Sequence, residues 1–124
     1  MKKYITLALL LISLSLNAEV RYVSKMGTSI PPYTTWKTAC DSIQKCINYC
    51  NSGDTIYIDR GRYRETLDIQ NKNMTIIGVD MDECIIDGTN IPSSIGKYNM
   101  CYFKKSDVEF NGITFIFKRF DDYQ

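Results

Sequence analysis

Asn73-Met74-Thr75-Ile76-Ile77-Gly78 and Asp107-Val108-Glu109-Phe110-Asn111-Gly112 decide how this chain folds. Both follow one pattern: polar, apolar, any residue, apolar, any residue, glycine. Alternation with period two marks a strand that turns one face to a core. A repeated short strand with the same glycine stop marks stacked units, each touching only its neighbours. Similar stretches surround the pair. Thr55-Ile56-Tyr57-Ile58 alternates, Asp59-Arg60-Gly61 turns, and Tyr63 to Ile69 reads as one extended run. Asn71-Lys72-Asn73 turns again, and a polar turn at Val79 to Glu83 leads into Cys84-Ile85-Ile86, which stops at Asp87-Gly88. After a longer loop, Thr89 to Asn99, come Met100 to Phe103, Val108 to Phe110 and Ile113 to Phe117. A closed barrel or sandwich calls for longer alternating strands and hairpin turns. The expected fold is therefore mainly β, a parallel solenoid.

Upstream, Val20 to Ser24 reads as a first strand and Lys25 to Tyr33, with Gly27 and Pro31-Pro32, as a loop. Thr34 or Thr35 then caps a predicted helix. Its apolar stripe is Trp36, Ala39, Cys40, Ile43, Cys46, Ile47 and Cys50, with Asp41, Gln44, Lys45 and Asn48 opposite. Asn51-Ser52-Gly53 ends it, because glycine accepts the left-handed conformation. An exposed first layer of a solenoid needs an amphipathic cover, and this helix has the stripe for it.

Lys2 and Lys3 followed by the uncharged run Tyr4 to Leu16 have the form of a signal peptide, with Asn17-Ala18 before the cleavage point at Glu19. The apolar run, about 13 residues, is short of the roughly 20 that span a bilayer. Residues 1–18 are expected to be removed and 19–124 to be secreted, periplasmic or held at the cell surface, with no membrane contact after cleavage. The chain of 124 residues carries +1 at pH 7 with no histidine. Without its leader it is close to neutral, which argues against a nucleic-acid partner. Any Ser-His or Cys-His mechanism within this chain is excluded. Cys40, Cys46, Cys50, Cys84 and Cys101 are an odd number, so at least one thiol stays unpaired. Cys84 and Cys101, flanking a loop, are the first pair to test; Cys46 and Cys50 lie four apart and face the same way. Neither tight Cys-x-x-Cys pairs nor added histidines point to zinc, and most of the five suit buried apolar positions.

The series Gly53-Asp54-Thr55-Ile56-x-Ile58, Gly61-x-Tyr63-x-Glu65, Met74-x-Ile76-x-Gly78 and Ile85-Ile86-Asp87-Gly88 resembles the N-terminal region of right-handed parallel β-helix proteins, the pectin-lyase-like superfamily. Tyr22-Val23-Ser24, Trp36 and the helix through Cys50 resemble that family's N-terminal cap. The likeness runs from about Val20 to Phe117. It implies the cap and first coils of a longer β-helix, with family chemistry carried on later coils. It also implies a polysaccharide or cell-surface glycan as partner. A non-catalytic adhesion or structural module is the alternative. No residue here is expected to be catalytic or cofactor-binding. Gly61 and Gly78 fit corners with positive φ, and Asp54 and Glu65 are suited to bind backbone amides at turns.

Three groups are candidate sites. Asp80, Asp82, Glu83 and Asp87 form a local acidic cluster that calcium can use, although their spacing matches no calcium loop. Arg60, Arg62 and Arg64 project from one side of an extended run and can clamp acidic sugars unless Asp59 and Glu65 neutralise them. Tyr22, Tyr33, Trp36, Tyr57, Tyr63, Tyr98, Tyr102 and Tyr123 offer rings for sugar stacking, with Trp36 and Tyr63 expected to pack the cap. Asn73-Met74-Thr75 is a glycosylation sequon for a eukaryotic secretory host.

Overall fold

The computed structural model describes residues 18–91 and 100–118. The expected leader therefore lies outside the described residues but for Ala18, as does most of the 89–99 loop. The described chain is mainly β. Its elements are β1 (Val20–Val23), α1 (Ile43–Tyr49), β2 (Thr55–Ile58), β3 (Gly61–Tyr63), β4 (Leu67–Gln70), β5 (Met74–Gly78), β6 (Cys84–Asp87), β7 (Cys101–Lys104), β8 (Val108–Asn111) and β9 (Thr114–Ile116). They form three parallel sheets in the orders β1-β2-β5-β8, β3-β6-β9 and β4-β7.

From β2 onward each strand pairs with the strand three places later. The two sequence repeats lie side by side in the register their letters suggest: Met74 opposite Val108, Ile76 opposite Phe110, Ile77 opposite Asn111. Their entry turns match as well. Asn71 and Lys105 both take positive φ, and the Asp107 amide donates to Asn73 Oδ1 at 2.9 Å. The inward rows of the three sheets meet in one core. Ile56, Ile58 and Ile76 come from the first sheet, Tyr63 and Ile86 from the second, Leu67 and Ile69 from the third. Each such side chain contributes about 1.5–3 kcal/mol by leaving water.

The predicted helix is much shorter than its apolar stripe. Residues 34–42 are not helical, and α1 begins after Ser42, whose side chain accepts from the Lys45 amide. The open edge of β1 explains the difference. Tyr22 donates its amide to Tyr33 O at 2.8 Å, Cys40 donates to Tyr22 O at 2.9 Å, and Ser24 donates to Cys40 O at 2.9 Å. The segment that would have continued the helix instead satisfies a sheet edge that would otherwise be unpaired. The end of α1 also differs: Cys50 is its C-cap in an extended conformation, and the positive φ of Gly53 falls three residues later.

The single extended run expected from Tyr63 to Ile69 is two strands in two sheets, β3 and β4, with a corner at Arg64-Glu65-Thr66. That corner aims Glu65 at the start of α1. Its carboxylate accepts the Ile43 amide at 3.1 Å, the Gln44 amide at 2.7 Å and the Ser42 hydroxyl at 3.3 Å. The first two helix amides thus have a partner, and it carries the charge that a helix N-terminus favours. Gln44 then behaves as a strand would, accepting the Asp68 amide and donating to the Asp68 carbonyl, both at 2.8 Å. Glu65→Ala is expected to cost about 1–2 kcal/mol, read from the denaturant midpoint. A change below about 0.5 kcal/mol, the size of an ordinary surface substitution, would remove Glu65 from the cap.

Candidate functional site

In the four-stranded sheet, the residues that alternate away from the core form a row across the strands: Tyr22, Tyr57, Ile77 and Asn111. The Tyr22 and Tyr57 rings stack at 5.9 Å with 21° between their planes. Trp36 joins them, its ring 4.6 Å from Tyr22 and tilted by 55°. Trp36 packs against β1 through Tyr22, but on the outer side of the sheet and not on the apolar stripe of a helix, and it is 43% exposed. With residues 34–38 out of the helix, Trp36 has no place on an apolar stripe. A short turn, in which the Thr38 amide donates to Thr35 Oγ1 at 3.1 Å and Ala39 to Trp36 O at 3.3 Å, sets it beside β1 instead. Three rings therefore form one partly exposed strip, bordered by uncharged Val20, Thr55 and Thr75 on the same face.

The other aromatic candidates separate from this strip. Tyr63 is buried as expected, its hydroxyl donating to Asp59 O at 2.9 Å, and burial first, then the Asp59 charge, raises its pKa. Tyr33 is also buried, packed edge-on against Tyr49 at 5.4 Å. Tyr102 lies on the outer side of β7 opposite Asp68. Tyr98 and Tyr123 lie outside the described residues.

The basic and acidic candidates are brought together and so neutralise each other. Arg60 Nε sits 2.7 Å from Glu83 and 3.7 Å from Asp80. Arg62 Nε donates to Asp87 at 2.8 Å, and Arg64 donates to Thr89 O at 3.0 Å. The neutralising partners are thus not Asp59 and Glu65, as the sequence suggested. Asp59 accepts from Ser24 Oγ, and Glu65 caps α1. The reason is the pairing of β3 with β6, which sets the arginines against acidic residues 20 or more positions away. Thr89 donors and then Arg62 hold the Asp87 carboxyl well below the usual carboxylate range. Asp80 accepts the Asp82 amide. The four carboxylates do not converge, and among the described residues no group of three or more His, Cys, Asp or Glu forms a metal site.

Arg21 and Asp54 were not singled out for each other by the sequence. Arg21 Nε reaches Asp54 Oδ2 at 3.1 Å with both side chains buried, and its other donor binds Pro32 O at 2.8 Å. Asp54 also accepts the amides of Glu19 at 2.9 Å and Asn51 at 2.8 Å. The expected role of Asp54 at a backbone turn is thus observed, with a long-range amide added. No periodic or motif signal links residues 33 apart, so the pair was illegible locally.

Cys84 and Cys101, the first candidate disulfide, are not joined. They lie in different sheets; Cys84 Sγ donates to Ile58 O at 3.3 Å, and burial pushes the Cys101 thiol up to about 11. Asn73 of the sequon already accepts the Asp107 amide. An open hollow at the starts of β5 and β8, with Asp107 and Glu109 on its rim, holds no aromatic ring. Among the described residues no helix is long and apolar enough to cross a membrane. Comparison with family models, with curated proteins and with solved structures yields no match.

Proposed function

We propose that this chain is an exported module, the capped beginning of a right-handed parallel β-helix, and that it binds polysaccharide by stacking sugar rings on Trp36, Tyr22 and Tyr57. The observation that carries the binding reading is the aromatic strip itself. Rings of this kind are amphipathic and place a flat apolar surface at the water boundary, where the C–H face of a sugar can lie. On one side the strip is bordered by uncharged Val20, Thr55 and Thr75, and the four arginines among the described residues are all engaged by carboxylates or carbonyls. Stacking on these rings is the mode of recognition proposed.

Support for the solenoid is the pairing of each strand with the third one after it, through all three sheets in the same order. Parallel strands joined by crossovers take the right-handed path in nearly all proteins. The segment 33–40 and α1 cover the outer edges of β1 and β4, as a cap must. Export rests on the leader-like residues 1–18.

Affinity electrophoresis of the full chain, through gels carrying one neutral or one acidic polysaccharide each, tests the proposal. Retardation is expected in at least one gel. Trp36→Ala and Tyr57→Ala are each expected to weaken it about five- to tenfold, roughly 1–1.4 kcal/mol. Both positions are partly exposed, so the fold should survive, which circular dichroism checks. Folded variants retarded as strongly as the wild type would overturn the reading, as would free migration of the wild type in every gel.

A further inference from the structure

The backbone nitrogen of Glu19 donates to Asp54 Oδ1 at 2.9 Å. The Asp54 side chain is fully shielded, and its other oxygen takes Arg21 Nε at 3.1 Å and the Asn51 amide at 2.8 Å. Glu19 is exposed, yet its backbone is held. Its carbonyl accepts the Thr55 amide at 3.0 Å, which carries the pairing of β1 with β2 one residue outward. An open hollow lined by Glu19, Arg21, Pro32, Thr34, Tyr49 and Asn51 adjoins the contact. The nitrogen aimed at this buried carboxylate is the one that follows the leader-like residues 1–18.

We infer that removal of residues 1–18 turns the Glu19 nitrogen into an α-ammonium that pairs with Asp54, adding a second cation to the buried Arg21–Asp54 pair and fastening the start of β1. The inference rests on the export proposed above. In the cleavage, catalysed by a peptidase of the export route, water adds to the Ala18 carbonyl carbon and the Ala18–Glu19 C–N bond breaks. The nitrogen leaves with the electron pair of that bond and takes both protons of the water, one of them through the new carboxyl group. Ala18 departs as a carboxylate, and Glu19 is left as an ammonium. An amide gives Asp54 one uncharged donor, whereas an ammonium in its place makes a charge-assisted bond, roughly twice as strong. The two cations use different oxygens, so neither displaces the other. Water in the hollow can meet the remaining ammonium protons. Cleavage one residue earlier would leave an amide at this point, and one residue later would remove the donor, so the arrangement suits one bond alone.

The charged and titratable groups around the nitrogen are Asp54 at the start of β2, Arg21 on β1, Tyr49 on α1 and the Glu19 carboxylate itself. Asp54 is in direct contact and favours the charged amine, while Arg21 opposes it from the far oxygen. The ammonium therefore keeps its proton to higher pH in the folded chain than in the unfolded one. Its contribution to stability is full below about pH 7.7, the ordinary range of an α-amine, and is lost as pH rises through the folded value.

The full chain is expressed in a secreting host, and the exported product is sequenced from its N-terminus. The product is then trace-acetylated at pH values from about 6 to 10, spanning the ordinary α-amine range, in buffer and in denaturing urea, and digested with trypsin. Cleavage after Arg21 isolates residues 19–21, in which the α-amine is the only amine that reacts. Glu19 is expected as the first residue, with its α-amine titrating about one unit higher in buffer than in urea. A product that retains residues 1–18 would overturn the inference together with the export reading. One trimmed at another bond would overturn the inference and leave export standing, as would a product starting at Glu19 whose amine titrates alike in buffer and urea. Glu19→Ser should keep the shift, since Asp54 and not the Glu19 side chain is its source; loss of the shift in that variant would overturn the inference as well.

Discussion

Asp54→Ala is expected to cost about 3–5 kcal/mol of folding stability, the range for breaking one side of a buried ion pair. Asp54 lies at the start of β2 with its side chain fully shielded, and three donors converge on its carboxylate: Arg21 Nε and the amides of Glu19 and Asn51. Removing the carboxylate strands the guanidinium of Arg21, whose side chain is only 5% exposed. Its remaining contacts, the Pro32 carbonyl and the face of the Tyr49 ring at 4.9 Å, carry no full charge. The penalty is mostly that of a buried, unpaired cation and two orphaned amides. Domains of this size are stable by about 5–15 kcal/mol, so the loss is a large share of the total. Urea denaturation of the wild type and Asp54→Ala measures the difference. The double variant Arg21→Met, Asp54→Ala should recover part of the loss, since the stranded charge goes with its partner, and the cycle should show coupling. A cost for Asp54→Ala below about 1 kcal/mol, or strict additivity, would mean that water reaches the pair.

Gly78→Ala is expected to cost about 2–3 kcal/mol, the upper part of the range for overpacking. Gly78 ends β5, and a Cβ there would overlap the carbonyl oxygen of Gly112 and come within 2.9 Å of Cys84 Cβ. The obstacle is backbone, which cannot rotate aside as a side chain can. A Cβ on Gly112 would in turn overlap the carbonyl of Gly78. The two glycines thus touch through their backbones. The sequence-based expectation that Gly78 is needed for positive φ does not hold: Gly61 and Gly112 take positive φ, at 152° and 67°, and Gly78 does not. Glycine stands at 78 because of close approach rather than backbone conformation. Thermal unfolding and amide exchange check the prediction, with the β8 amides Val108–Asn111 expected to lose protection first. An unchanged melting temperature would show that β8 can shift without loss.

The strand positions were legible because their signals are local. Thr55–Ile58 and Met74–Gly78 are read from alternation and from the glycine or polar turns that bound them, and the structure forms them with those bounds. The likeness of 73–78 to 107–112 even supplies the pairing register, since side chains repeating in step must stack in step for both inward faces to stay dry. A strand extended through Arg64-Glu65-Thr66 was a failure of the same method, because a corner made without glycine or proline has no strong local mark.

What lay beyond the sequence are the contacts between residues far apart along the chain. The apolar spacing of residues 36–50 satisfies a helix on its own terms. It loses to the unpaired amides and carbonyls of β1, which exist only once β1 has joined the sheet. The same holds for Trp36, which that loss moves to the outer face, and for Glu65, whose helix amides lie 21 and 22 residues away. Arg60 and Arg62 likewise meet their carboxylates only when β3 lies beside β6. The sequence by itself determined which short segments are strands and which of their faces are apolar, because period and turn chemistry act over a few residues. Only the tertiary structure decided which charges are buried together and which rings stay at the surface. Those outcomes depend on which strands become neighbours, and on the cost of leaving an edge or a charge without a partner.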